Sequence, residues 1–308
     1  LENIGQRQDS PYILKVTFIV ALTLSAFHIY TGIFGVFESI MQRSIHVLLA
    51  LVLVFLMYNP SGKKREGGIA WYDWTLIGLT LISAGYVTIE SGTIASRYAY
   101  VTPLSDYEVF AGVLGVLLLL EATRRTMGPA LPIISLVFIS YIYIGPYMPG
   151  MLSHQGFSLM WTVDQLFFTT EGVWGIPVGV SATFIVMFII FAAFLDKSKA
   201  GDYFINLALS MFGQARGGPA KAAVFASGVM GTISGSAVAN VVTTGTFTIP
   251  LMKKIGYHPQ FAGAVEAVAS SGGQLMPPIM GAAAFVVAEF TGVPYLKVAV
   301  AAIIPALL

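Results

Sequence analysis

Two neighbouring stretches hold most of the residues whose types and spacing could do chemistry. The first, "GTISGSAVANVVTTG" from Gly231 to Gly245, gathers Ser234, Ser236, Asn240, Thr243 and Thr244 around Gly231 and Gly235. The second, "FAGAVEAVASSGGQLMPPIMGAAAFVV" from Phe261 to Val287, carries Glu266, Gln274, the pair Gly272–Gly273 and the pair Pro277–Pro278. Hydroxyl, amide and freed carbonyl oxygens are hard, neutral ligands suited to a bare alkali cation, while half-helix N-termini favour an anionic substrate group. Glu266, a carboxylate inside an apolar run, is a functional hypothesis by default, with pairing to a buried donor such as Gln274 or Asn240 as the structural alternative. A plainer reading of the first stretch stays open: small residues at four-residue spacing, Gly231/Gly235 and Ser236/Asn240, also let ordinary membrane helices pack tightly.

The elements that must position these groups are membrane helices. Of 308 residues, 56% are hydrophobic and 10% charged, and the mean hydropathy is +0.80; a soluble domain carries about 25% charged residues. A net charge of +1 gives no global pull toward nucleic acid, and without cysteine neither disulfides nor thiolate metal sites are available. A crossing needs about 20 mostly apolar residues. On that measure spans run over Ile13–Phe34, Ser44–Tyr58, Trp74–Glu90, Tyr107–Thr123, Pro129–Met148 and Gly175–Leu195, the second of them short. Lys63, Lys64 and Arg65, then Arg124 and Arg125, then Lys197 and Lys199, with Arg7 and Lys15 at the start, fall on one side of that arrangement. The positive-inside rule makes that side, and the N-terminus, cytoplasmic; the opposite loops hold only Arg43 and Arg97. Tyr147–Trp174 reads as an outside connector with a short interfacial helix, and Asp202–Phe212 as an amphipathic helix along the cytoplasmic interface.

Pro219–Met252 is too long for one crossing and too short for two. Cations flank it on both sides, Arg216 and Lys221 before, Lys253 and Lys254 after. Two half-length helices that enter and return to the same face, with a tip near Ser234–Asn240, satisfy both facts. Lipid-exposed irregular backbone is not tolerated, so such a tip must be buried in protein or line an aqueous cavity. Two prolines remove two backbone donors and break the next helix in its middle. Interrupted helices in succession are what a midplane binding site in a secondary transporter predicts. No phosphate loop, nucleophile elbow or H-E-x-x-H motif is present, so enzyme readings have almost no support. His28, His46, His154 and His258 are far apart in the chain and read as local hydrogen-bond partners.

"GTISGSAVANVVTTGTFTIPLMKKIGY" and "GAVEAVASSGGQLMPPIMGAAAF" closely resemble the large membrane subunit of tripartite ATP-independent periplasmic (TRAP) transporters, most of all the fused permeases of the TAXI branch. The match covers roughly Pro129–Leu308, and the four spans before it are similar in number and placement to the family's small membrane subunit. The resemblance implies a sodium-driven importer in the bacterial inner membrane. Such an importer receives organic acids from a periplasmic solute-binding protein and moves them by an elevator of inverted repeats. It implies a scaffold domain at 1–128 and the first transport repeat at 129–308, with the hairpin at 219–252 and the broken helix at 261–287. A second repeat would lie beyond Leu308, making this an N-terminal fragment that ends inside the membrane region. By motif, a sodium site would use Ser234, Gly235, Ser236 and Asn240 with carbonyls at Gly273, Met276 and Pro278. Substrate would meet Asn240, Thr243 and Thr244. Ala237 and Ala239 stand where some members carry Ser or Thr, so the division of ligands between side chains and backbone stays open.

The reading is an all-α integral membrane protein: a polytopic helical bundle with a re-entrant hairpin and a broken helix, working as a sodium-coupled permease. The rivals are a passive channel lined by the polar tip, and a membrane scaffold for a partner enzyme.

Overall fold

The computed structural model describes residues 11–63, 69–213 and 215–307. Lys64, Arg65 and Arg7, which help orient the spans, lie outside the described residues. The described residues are mainly helical and contain no strand, so the all-α reading holds. In chain order the helices are α1 Pro11–Phe34, α2 Ser39–Met57, α3 Trp71–Ile89, α4 Ser91–Ser96 and α5 Asp106–Met127. Then follow α6 Ala130–Ile144, α7 Leu159–Phe167, α8 Ile176–Val180, α9 Val186–Lys197 and α10 Ala200–Phe212. The last are α11 Gly218–Ser234, α12 Ala237–Lys254, α13 Pro259–Gly273, α14 Ala282–Thr291 and α15 Tyr295–Leu307. Among the described residues, four helical segments are long and apolar enough to cross a membrane by themselves: Tyr12–Phe34, Ser39–Met57, Ala130–Tyr147 and Ile176–Leu195.

The chain divides into two compact units, Leu1–Ala182 and Thr183–Leu308. In the first, α2, α3 and α5 enclose a core of large side chains that includes Phe55, Leu56, Val87, Leu118, Phe167 and Trp174. The second span is not short. Glu38 accepts hydrogen bonds from the amides of Ile40 (3.0 Å) and Met41 (3.2 Å), which starts α2 at Ser39 and gives it 19 residues. A carboxylate at a helix N-terminus also meets the positive end of the dipole, so the helix begins earlier than its apolar run.

Trp174 closes the connector that precedes the sixth span. It is fully buried, its indole N–H donates to the Phe167 carbonyl at 2.6 Å, and its own carbonyl accepts from Arg43. The connector does contain a short helix, α7, capped by the Ser158 hydroxyl on the Trp161 amide at 3.2 Å.

His28 and His46, far apart in the chain, are in contact. His28 Nε2 lies 2.9 Å from His46 Nδ1, and His46 Nε2 lies 3.1 Å from the Ser181 hydroxyl. The antiparallel return of α2 along α1 brings them together, which spacing along the chain conceals. Ser181 opens a π-helical turn over Ser181–Ile185 that interrupts the sixth span between α8 and α9.

Candidate functional site: two helix breaks at one place

The second unit is built around α11, α12 and α13, packed on one another and joined by α10. Its close contacts are made by small residues. A side chain at Gly231 would run into the Cα and carbonyl of Gly273, so the C-terminal turns of α11 and α13 touch backbone to backbone. Such approach is what glycine permits in membrane helices, where van der Waals contact replaces the hydrophobic effect as the force between helices.

The hairpin tip is as tight as the sequence requires. Gly235 has φ +60°, and its Cβ would collide with the Met280 carbonyl, so this position combines a left-handed conformation with a close approach. Ser236 then caps α12, its hydroxyl accepting from the Ala239 amide at 3.3 Å. The hydroxyl of Ser234, at the end of α11, lies against the Ser236 amide at 3.4 Å. The first helix break is therefore Gly235–Ser236. The second runs from Gln274 to Gly281 between α13 and α14. It is folded on itself by the Leu275 amide on the Gly272 carbonyl (2.9 Å), the Met276 amide on Gly273 (3.1 Å) and the Gly281 amide on Gln274 (2.8 Å). The Gly235–Met280 contact brings the two breaks together. Two helix C-termini, Ser234 and Gly273, and two helix N-termini, Ala237 and Ala282, thus converge on one small region. Each end contributes about half a unit charge, negative at C-termini and positive at N-termini.

Asn240, in the first turn of α12, reaches back across the hairpin. Its Nδ2 donates to the Ser227 carbonyl at 2.7 Å and to the Ser227 hydroxyl at 3.0 Å. A backbone carbonyl only accepts, so this contact fixes which end of the amide faces Ser227. Both N–H protons are spent there, and Oδ1 is left buried without a hydrogen-bond partner. An orphaned buried amide oxygen costs about 1–3 kcal/mol unless a donor or cation meets it.

Glu266 is fully buried in α13. Sequence offers Gln274 or Asn240 as its partners; the structure gives it hydroxyls instead. Oε1 accepts from Thr244, from Ser270 at 3.2 Å and from Ser227 at 3.3 Å, and Oε2 accepts from Thr248 at 2.5 Å. Gln274 is exposed at the second break. Thr244 and Thr248, and Glu266 and Ser270, are i,i+4 pairs that a helical reading could have grouped on shared faces. Ser227, on the other arm of the hairpin, carries no such signal.

The remaining predicted residues fall into two groups. Ser234, Gly235, Ser236, Asn240, Gly273 and Met276 lie at the meeting of the breaks or line it. Pro278 sits at the far side of the second break, where its carbonyl accepts from the Tyr295 hydroxyl at 2.9 Å. Thr243 is half-buried and donates to the Ala239 carbonyl at 2.9 Å, while Thr244 is fully buried and turned toward Glu266. Among the described residues no group of three or more His, Cys, Asp or Glu side chains could hold a metal. The side-chain oxygens at the meeting of the breaks, of Ser234, Ser236 and Asn240, are neutral ones.

Residues 114–308 match the family described as "Tripartite ATP-independent periplasmic transporter, DctM component". The chain is 37% identical over 94 residues to the C4-dicarboxylate TRAP transporter large permease protein DctM of Vibrio cholerae, covering 30% of this chain and 21% of that protein. It is 33% identical over 113 residues to the ectoine/5-hydroxyectoine TRAP transporter large permease protein UehC of Ruegeria pomeroyi, covering 37% and 26%. It is 35% identical over 94 residues to the isethionate TRAP transporter permease protein DctMQ of Oleidesulfovibrio alaskensis, covering 30% and 15%. The chain thus spans about a quarter or less of the length of these curated relatives. No solved structure matches it. With a family match over most of its length, laid across the paired helix breaks just described, the chain belongs to the DctM component family of tripartite ATP-independent periplasmic transporters.

Proposed function

We propose that this chain is part of a permease that imports organic acids, delivered by a periplasmic solute-binding protein, with sodium as the coupling ion. It would lie in the bacterial inner membrane with its N-terminus cytoplasmic, as the Lys and Arg placement favours. Residues 1–128 would serve as scaffold and 129–308 as part of the moving transport domain. The relatives named for C4-dicarboxylates, ectoine and isethionate support a small, acid-bearing substrate.

The observation that carries the sodium reading is the bare Oδ1 of Asn240, buried beside the touching C-termini of α11 and α13. An orphaned acceptor next to two negative helix ends suits a cation without a fixed countercharge. The Ser236 and Ser234 hydroxyls stand at the same tip as further oxygens. The two N-termini, at Ala237 and Ala282, offer amide donors and positive dipole ends to a carboxylate. Sodium at the tip would neutralise the C-terminal ends and order the turn between Gly235 and Ser236. The substrate anion would then meet the N-terminal ends without repulsion from the carbonyls behind them. Binding of the two ligands would be coupled in this way.

The test is uptake by the full-length protein in proteoliposomes, with its binding protein outside and an inward sodium gradient. Uphill accumulation should require sodium and vanish when potassium replaces it. Uptake indifferent to that replacement would remove sodium coupling, and the absence of any uphill accumulation would turn the reading toward a channel.

A further inference from the structure

We infer that Glu266 is the positioning residue of the hairpin: it keeps the Asn240 amide turned so that Oδ1 stays bare for a cation. The role follows from counting protons. Asn240 gives both amide protons to Ser227, one to the carbonyl and one to the hydroxyl oxygen. For the Ser227 hydroxyl to accept there, its own proton must point elsewhere. Its other neighbours are Glu266 Oε1 at 3.3 Å and the Ser270 hydroxyl at 2.9 Å. Ser270 has a single proton of its own, and Glu266 Oε1 lies 3.2 Å from it. Whichever serine passes its proton to the other, the chain ends on the Glu266 carboxyl oxygen. Among the described residues, the hydroxyls of this serine pair donate to each other and to Glu266 Oε1.

The second arm is held to the same carboxyl. The hydroxyl of Thr244, one turn after Asn240, lies on Glu266 Oε1, and that of Thr248 lies on Oε2. Each threonine hydroxyl also reaches a carbonyl of its own helix, Asn240 at 2.8 Å and Thr244 at 3.0 Å. Glu266 therefore ties α11 through Ser227 and α12 through two threonines to α13. Gly273 closes the arrangement: a Cβ there would stand 3.1 Å from Asn240 Nδ2 and 3.0 Å from the Ser227 carbonyl, tight enough to press on both. Without the carboxyl, the Ser227 proton is free to turn onto Asn240. The Ser227 carbonyl would then hold the amide by one proton alone, and an amide so held can swing off it until Oδ1 meets the serine hydroxyl.

This inference rests on the sodium reading for what the oxygen is kept for, and the experiment separates the two. Sodium binding to the full-length protein in nanodiscs is titrated for wild type, Glu266→Ala and Glu266→Gln, and cryo-electron microscopy gives the Asn240 rotamer in each. Glutamine keeps an acceptor oxygen for Ser227 and Ser270, presents a donor to Thr248, and carries no charge. It should therefore fold as wild type does and bind sodium within about threefold of it. Alanine should weaken binding by about tenfold, the size of one hydrogen bond to a ligating group, with the amide rotated off the Ser227 carbonyl. The proposal is overturned if glutamine fails as badly as alanine, since charge rather than acceptor geometry would then matter. It is equally overturned if Asn240 keeps its rotamer in Glu266→Ala. Absence of sodium binding in wild type would overturn the sodium reading alone, and the rotamer would still decide the role of Glu266.

Discussion

The two units bury their carboxyl groups in opposite ways. In the N-terminal unit, charges meet charges. Arg125 lies 2.6 Å from Asp73 and 2.6 Å from Glu121, with its guanidinium 5.2 Å from the centre of the Phe55 ring. Arg97 pairs with Asp164, whose Oδ2 also accepts the Tyr100 amide at 2.8 Å. Around these pairs stand large side chains with few alternatives, Trp174, Phe167 and Phe55. In the C-terminal unit the fully buried carboxyl of Glu266 meets hydroxyls, and the close contacts are backbone against backbone at glycine. Ion pairs among bulky neighbours fix one arrangement and punish its loss, because either charge left alone in a low-dielectric interior is costly. Hydroxyls can both donate and accept, so a network of them can re-form around a changed ligand without stranding a charge. The first pattern suits a part that stays fixed, the second a part that can rearrange.

The largest expected effect tests the rigid side of that comparison. Arg125→Met keeps much of the side chain's bulk but removes the guanidinium that Asp73 and Glu121 share. Loss of one member of a buried pair costs about 3–5 kcal/mol. Thermal unfolding of the purified protein should show a clear fall in midpoint, and Arg125→Met combined with Asp73→Leu should recover much of it. An unchanged midpoint in the single variant would mean that the charges are not what holds this unit, and the contrast would fail.

A smaller effect is expected where glycine meets glycine. In Gly231→Ala the new methyl meets the Gly273 backbone, with the carbonyl carbon and oxygen each at 2.6 Å, and backbone cannot swing aside as a side-chain end can. Overpacking of this kind costs about 1–3 kcal/mol. The functional loss should exceed the stability loss if the proposed ion site lies where the C-terminal turns of α11 and α13 meet. Transport per folded molecule, compared with the unfolding midpoint of the same preparation, separates the two. Loss of both in proportion would make Gly231 a packing residue only.

Much of this arrangement could be read from sequence, and the limits of the reading have physical causes. Gly235 and Pro277–Pro278 announce both breaks, because glycine and proline act on the backbone locally and identically in any context. Cation placement delimits the hairpin for a similar reason, since an unpaired charge is costly away from water whatever its neighbours in sequence. The start of α2 was hidden because a carboxylate cap extends a helix beyond its apolar run. The His28–His46 contact and the Ser227–Glu266 link join different helices, and a one-dimensional pattern does not encode which faces meet. Trp174 shows the same limit: an aromatic near an interface and an aromatic in a core have one letter.

The finest test compares two serines in the same capping position. Ser105 begins α5 in the N-terminal unit with a reciprocal cap: its hydroxyl accepts the Glu108 amide at 3.3 Å, and the Glu108 carboxylate takes the Ser105 amide at 2.7 Å. Ser236 begins α12 with only half of that. Its hydroxyl accepts from the Ala239 amide, but the residue three along is alanine, so no side chain returns to the Ser236 amide from within the helix. A closed box satisfies two orphan donors and is worth about 1 kcal/mol, which Ser105→Ala should lose without altering transport per folded molecule. The open cap should be worth about 0.5 kcal/mol, the low end of the capping range. Ser236→Ala should therefore barely move the unfolding midpoint while raising the sodium concentration needed for half-maximal uptake. A box left open at a helix start weakens that helix, yet it leaves an oxygen beside the tip that can turn to an ion. If Ser236→Ala instead matches Ser105→Ala, losing stability and sparing the sodium dependence, the tip hydroxyl is a cap and nothing more, and the cation must rest on Asn240 and the carbonyls.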